Sequence, residues 1–167
     1  MGNMILARRS IRKFKDAVVS DELIEKILEA GCSAPSACNR KPYEIFVITN
    51  EEKLEQLNKC GRFTNMPSNV KIVVCGNLNK SLPKDMASYW IQDASAVTTN
   101  MLLMINELGL GACWCGILPQ QKVMDNVKEI LSLEDHLIPF SLINLGYPDE
   151  HKEAHKGYDK DKIKFIR

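Results

Sequence analysis

The stretch from Pro83 to Leu108 constrains this chain most. Trp90, Ala94, Val97, Met101, Met104, Ile105 and Leu108 recur at helical spacing, and Gly109 supplies the stop. Ile91, Ala96 and Leu102 fall off that stripe, so the apolar surface is wider than one packing face requires. The spacing therefore predicts a long helix covered nearly all round, at the centre of the fold or at a subunit interface. Gln92, Asp93, Asn100, Asn106 and Glu107 argue against a membrane span, because an Asp at mid-bilayer alone costs about 3 kcal/mol.

Shorter elements surround it. Ser20 precedes Asp21, Glu22, Leu23, Ile24, Ile27 and Leu28 in a capped amphipathic helix, with Val19 and Ile24 as a hydrophobic staple and Gly31 as the expected stop. Tyr43 to Ile48 reads as a strand, and Glu51 to Lys59 as a short helix burying Leu54 and Leu57. Lys71 to Cys75, Ala112 to Cys115 and Leu137 to Leu145 read as further strands, with Pro139 near the start of the last or on an edge. Pro119 is placed to open a helix buried through Val123, Val127 and Ile130. This alternation predicts α/β layers in one domain over residues 1–167.

Charge adds a constraint on partners. The net charge of +1 gives no field to hold nucleic acid or an anionic membrane, but it is unevenly spread. Residues 1–15 carry five bases and no acid, residues 151–167 carry six bases and three acids, and the stretch between them stands at −7. Two basic ends can converge on one small anion. No GxGxxG or GxxxxGK[ST] occurs, so a phosphate would be held mainly by side chains. The first fifteen residues lack the apolar run of a signal peptide, which predicts a cytoplasmic protein with its six cysteines reduced.

Three clusters offer chemistry. Arg8, Arg9, Ser10 and Arg12 present guanidinium forks and a hydroxyl suited to phosphate, although a basic terminus can equally be a solvated arm. The small-residue stretch from Ser33 to Pro42 is a connecting loop or a loop that lets backbone amides approach a flat ring, with Asn39 as donor and acceptor. Gly109 to Gly116 contains Cys113 and Cys115 in a C-x-C spacing that is neither a zinc site nor a C-x-x-C redox motif, and a buried strand edge is its plain reading. His151 and His155 lack a third ligand, and no Ser/His/Asp set or paired carboxylates occur. No metal site is expected, and hard chemistry would fall to a bound cofactor.

In order, Arg8-Arg9-Ser10-Ile11-Arg12-Lys13-Phe14, Ala34-Pro35-Ser36-Ala37-Cys38-Asn39 with Pro42-Tyr43, Tyr89 to Ala96, Gly109 to Trp114, and Leu145-Gly146-Tyr147-Pro148 resemble the FMN-dependent nitroreductase family. The resemblance implies an α+β nitroreductase-like fold, with a central mixed, mainly antiparallel sheet flanked by helices and the long helix at a homodimer interface. It further implies an FMN-dependent NAD(P)H oxidoreductase in which NADH or NADPH donates hydride to flavin N5. A flat electron-poor acceptor, such as a nitroaromatic or quinone, then takes it in a ping-pong cycle.

The same resemblance gives residue roles. Arg8 would be the phosphate ligand, Arg9 and Ser10 phosphate or ribityl contacts, and Arg12 the base over the pyrimidine edge. Pro35, Ser36, Ala37 and Asn39 would approach the ring from the partner chain. Trp114, Cys115 and Gly116 would lie along the ring, with a backbone amide of Cys115 or Gly116 at N5 and no catalytic side chain. Gly157 stands where the family commonly has an arginine, leaving Lys156 as the nearest replacement and Lys152 as the second. Gly157 and the short chain, with little room for a lid, leave an FMN-storing or sensing protein with little turnover as the alternative. A thiol or metal protein built on Cys113 and Cys115 is the third reading.

Overall fold

The computed structural model describes residues 4–167. Strands β1 (Tyr43–Ile48), β2 (Val70–Asn77), β3 (Gly111–Gly116) and β4 (Leu137–Gly146) form one sheet in the order β1-β2-β4-β3. Every neighbouring pair is antiparallel. Parallel pairing among the described residues is confined to an isolated bridge between Ser10 and Ala112. The helices are α1 (Met4–Ala7), α2 (Asp21–Cys32), α3 (Glu51–Lys59), α4 (Tyr89–Glu107) and α5 (Gln121–Leu131).

The sheet is covered on both faces, and alternation along its strands divides the core in two. Ile72 and Val74 of β2 join Val97, Met101 and Ile105 of α4 and Ile24 and Ile27 of α2. Val73 and Cys75 point the other way, toward Leu57 of α3 and Val123 and Val127 of α5. The fold is thus α+β, with an antiparallel sheet between two helical layers. No helix among the described residues is long and apolar enough to cross a membrane.

The helix ends follow their chemistry in most places. Ser20 caps α2 by accepting from the Leu23 N–H at 3.4 Å, and Val19 and Ile24 are both buried. Gly109 takes φ +73, and the Leu110 N–H returns to the Ile105 carbonyl at 2.9 Å, which closes α4. Gly31 does not stop α2, which runs through it to Cys32. A Cβ at Gly31 would lie 2.7 Å from Met101 Cγ, so this glycine permits close helix packing instead.

Two other boundaries differ from expectation, and one proline sits near its strand's start as expected. Residues 84–86 form a separate 3-10 turn in which Lys84 adopts φ 56, so the long helix begins at Tyr89 instead of Pro83. α5 begins at Gln121, beyond Pro119. Pro139 lies in a central strand, where the register slips so that Val74 faces Ser141 and Cys75 faces Pro139. A bulge of this kind accommodates the missing N–H. Nor does the chain by itself cover α4 all round, since Gln92 and Thr99 are exposed and Ser95, Ala96 and Leu103 half-buried along one stripe.

Candidate functional site

The two basic ends of the chain are laid side by side. The Ile11 N–H donates to the Ala112 carbonyl at 2.8 Å, binding the segment after α1 to β3. Lys15 N–H reaches the Tyr147 carbonyl and Asp149 N–H the Lys13 carbonyl, both at 2.9 Å, and His155 N–H reaches the Leu6 carbonyl at 2.8 Å. These bonds bring residues 8–15 and 147–155 together, the convergence that the charge distribution anticipates.

Arg8, Arg9, Ser10, Arg12, Lys152 and His155 line a cavity of about 590 Å³ there. Several of its cations already have partners. Arg9 donates to the Glu153 carbonyl. Lys152 Nζ donates to the Ser10 carbonyl at 2.6 Å and pairs with Glu150 at 3.1 Å. Glu150 also accepts from the Arg12 N–H at 2.5 Å, and that bond, with Lys152, holds its carboxyl below the usual range. The Arg8 guanidinium has no ion pair or hydrogen bond among the described residues, which leaves it the cation most available to an anion.

Lys156, the first choice from sequence for a phosphate contact, is exposed and pairs with Glu153 at 3.4 Å. It does not line this cavity, whereas Lys152 does. The structure therefore brings the second choice, Lys152, to Arg8 and Arg9.

Arg12 also lines a second cavity, of about 490 Å³. Its walls are Cys113, Trp114, Cys115 and Gly116 of β3 together with Arg62, Phe63, Asn65 and Met66 from the connection between α3 and β2. No motif in the sequence marks residues 62–66 for a role. A connection without hydrophobic periodicity that mixes a cation, an aromatic and an amide is the signal that marks such a loop as more than a link.

The loop from Ser33 to Pro42 is firmly shaped but lines neither cavity in its own chain. Cys38, Asn39 and Lys41 adopt φ of 51, 52 and 47, left-handed values that cost a non-glycine residue about 1–2 kcal/mol. Asp93, buried in α4, offsets this by accepting the Ala37 N–H at 2.8 Å, while Ser36 Oγ accepts the Lys41 N–H at 3.0 Å. Pro35 and Asn39 are exposed, and Ser36 and Ala37 half-buried. Asp93→Ala is expected to cost about 2 kcal/mol in urea unfolding and to speed amide exchange across residues 36–41. Asp93→Asn keeps an acceptor and should lose less; equal losses in the two variants would count against the hydrogen bond.

His151 and His155 lie in a segment without regular secondary structure instead of on a shared helix face. Among the described residues no group of three or more His, Cys, Asp or Glu side chains is placed to hold a metal. All six cysteines are free thiols.

Comparison with known proteins matches the sequence and fold of this chain to one family. The model of the Nitroreductase family covers residues 5–61 and 65–147. An Archaeoglobus fulgidus protein provisionally named NADH dehydrogenase/NAD(P)H nitroreductase is 39% identical over 94% of this chain and 90% of its own. The solved structure of an FMN-dependent nitroreductase from Clostridium difficile R20291 superposes with a TM-score of 0.90 at 31% identity, covering 100% of this chain and 99% of the other. A provisionally named nitroreductase from Desulfovibrio desulfuricans, solved in complex with FMN, gives 0.82 at 27% identity over 98% and 95% of the two chains. With the family match spanning the segment after α1, the small-residue loop and all four strands, the chain belongs to the Nitroreductase family.

Proposed function

We propose that this protein is an FMN-dependent NAD(P)H oxidoreductase, built as one unit over residues 1–167 and working as a cytoplasmic homodimer. The observation that carries this reading is the position of Arg12, shared by a cationic cavity on one side and an aromatic-walled cavity on the other. A molecule with an anionic tail and a flat, electron-poor ring matches that pair of cavities in both chemistry and order. The names of the Archaeoglobus and Clostridium relatives, and the FMN held by the Desulfovibrio protein, supply the donor and the cofactor.

On this reading Arg8 is the main phosphate ligand, with Arg9, Ser10 and Lys152 completing the anionic end. Lys152 brings a point charge where an arginine would bring a fork, so it neutralises the phosphate without fixing its orientation. Arg12 faces the pyrimidine edge, where a fixed cation favours the charge that reduction adds. Trp114, Cys115 and Gly116 flank the ring, with a backbone N–H of Cys115 or Gly116 toward N5. Pro35, Ser36, Ala37 and Asn39 serve the partner's site.

Two observations support that exchange between subunits. The loop bearing those four residues is held in shape by hydrogen bonds to Asp93 and Ser36 yet lines neither cavity in its own chain. The half-open stripe of α4 and the exposed Tyr158, Phe165 and Ile166 offer apolar surface to a second copy.

When bound, FMN supplies the hydride chemistry at N5, taken from NADH or NADPH and passed in a separate half-reaction to a nitroaromatic, quinone or similar flat acceptor. The protein's part is to orient, to exclude water and to hold charge, and no side chain is needed as acid or base. Stopped-flow mixing of the flavin-loaded protein with NADH and NADPH tests this. Rapid loss of the flavin absorption band is expected, and a band that persists with both donors would favour flavin storage instead.

A further inference from the structure

Next to the ring cavity runs a groove between α3 and α5 that has no part in the function proposed above. Its near portion, of about 470 Å³, is lined by Lys59 at the end of α3, Arg62 in the turn that follows, and Gln120, Gln121, Lys122 and Asn126 in and just before α5. No carboxylate lines it among the described residues. The Lys122 ammonium has no ion pair or hydrogen bond among those residues. Arg62 likewise has no carboxylate partner there, and its guanidinium lies over the Phe63 ring, 5.4 Å from the centroid. Lys59 is paired with Glu55, but at an exposed position one helical turn away, where such a pair contributes little.

The turn that carries Arg62 is braced against α5. Buried Thr64 accepts the Gly61 N–H at 3.1 Å and donates to the Gly61 carbonyl at 2.9 Å. Asn126 Nδ2 donates to the Cys60 carbonyl at 2.9 Å, and a Cβ at Gly61 would lie 3.2 Å from Val123 Cγ2. Arg62 and Lys122 therefore border one groove from two elements whose spacing is fixed.

The groove meets a neighbour at each end. Arg62 also lines the ring cavity, and Gln120 Nε2 donates at 3.1 Å to the carbonyl of Gly116, which lines that cavity too. At the far end Lys59, Cys60 and Asn126 are shared with a hollow of about 450 Å³. There Ile130 supplies apolar surface, Gln56 an amide and Glu129 an acceptor for hydroxyls. An aromatic-walled cavity, a cationic groove and a mixed hollow thus follow one another.

We infer that the groove is the subsite for the diphosphate of the dinucleotide that donates hydride, with Arg62 and Lys122 as its ligands. This rests on the flavin reading, which sets the nicotinamide in the ring cavity beside Gly116. A nicotinamide dinucleotide runs from flat ring through ribose and diphosphate to adenosine. With its ring at Gly116, the diphosphate falls one ribose farther on, where Gln120 and Arg62 stand, and the adenosine continues toward Gln56 and Ile130. Arg62 offers the diphosphate a planar fork and Lys122 a point charge. Contacts so far from the reacting atoms hold the donor without lowering the chemical barrier, so their loss appears in half-saturation and not in limiting rate.

Calorimetric titration of the full-length protein with ADP-ribose, with and without FMN, tests the groove apart from the flavin. Binding in the millimolar range or tighter is expected, and it should weaken with salt. Arg62→Gln and Lys122→Gln should each weaken it about tenfold, while Lys26→Gln, on α2 and outside these cavities, should change it little. In stopped-flow reduction of the FMN-loaded protein, Lys122→Gln should raise half-saturating NADH and NADPH about tenfold with little change in limiting rate. Reduction by 1-benzyl-1,4-dihydronicotinamide, which lacks the diphosphate, should not respond to Lys122→Gln. Absence of ADP-ribose binding at millimolar concentration, losses in Arg62→Gln and Lys122→Gln no larger than in Lys26→Gln, or an equal loss with the truncated donor would overturn the subsite. A flavin band that neither full donor bleaches would overturn the flavin reading instead, and selective ADP-ribose losses in the two variants would still establish a diphosphate site.

Discussion

Gly76→Ala is expected to destabilise the fold by about 3 kcal/mol or more, the top of the range for overpacking. An added Cβ would stand 2.2 Å from Trp90 Cε3 and 2.5 Å from Cζ3, well inside any van der Waals contact. Neither side can yield easily. Gly76 is paired on both flanks, with Tyr43 on β1 and Ile138 on β4. Trp90 is buried, and its indole sits edge-on to Phe140 with ring centroids 6.1 Å apart. The remaining escape is for the first turns of α4 to lift from the sheet, which would carry Asp93 away from the Ala37 N–H. Urea midpoints for Gly76→Ala, Trp90→Leu and the double variant check the cause. Much of the loss should return in the double variant relative to Trp90→Leu alone, and additive losses would place the strain elsewhere.

That prediction belongs to the part of the molecule most legible in sequence. The strands at Tyr43 and Lys71, the capped helix after Ser20 and the stripe of α4 are read from periodicity and capping, because burial of one face dictates both. Gly31 as a helix stop and Pro139 as an edge marker, though not as a sign of the strand's start, fail for a common reason. Each is a local stop or edge signal overridden by tertiary contact, the first by helix packing against Met101 and the second by a bulge opposite Val74 and Cys75. The site divides in the same way. Arg8 and Arg12 stand out as charges, whereas Phe63 and Asn65 lie in an aperiodic connection and enter the site only because α3 and β2 return it to the end of β3. The choice between Lys152 and Lys156 is likewise not a matter of local pattern. It turns on the pairing of Lys13 with Asp149 and of Leu6 with His155, contacts between opposite ends of the chain that carry Lys152 to the cavity lined by Arg8 and Arg9.

Arg8→Glu is expected to weaken FMN binding by roughly two to three orders of magnitude while changing riboflavin binding little. A charge-assisted contact to phosphate is worth about 1.5–3 kcal/mol, reversal adds repulsion, and each 1.4 kcal/mol is about tenfold in affinity. Arg8 should carry more of this than its neighbours because its guanidinium has no partner among the described residues. Arg9 is engaged with the Glu153 carbonyl, and Lys152 with Ser10 and Glu150. Lys152→Met should therefore cost less than Arg8→Glu, and part of its cost should come from releasing Glu150 toward the phosphate. Lys156→Met, at an exposed pair with Glu153, should leave both affinities near their starting values. Fluorescence titration with FMN and riboflavin in parallel separates tail from ring. Equal losses for the two flavins in Arg8→Glu would remove Arg8 from the phosphate site, and a larger loss in Lys156→Met than in Lys152→Met would reverse the assignment of the second cation. Raised salt should weaken FMN binding to the unaltered protein more than riboflavin binding, since screening acts on the charged tail alone.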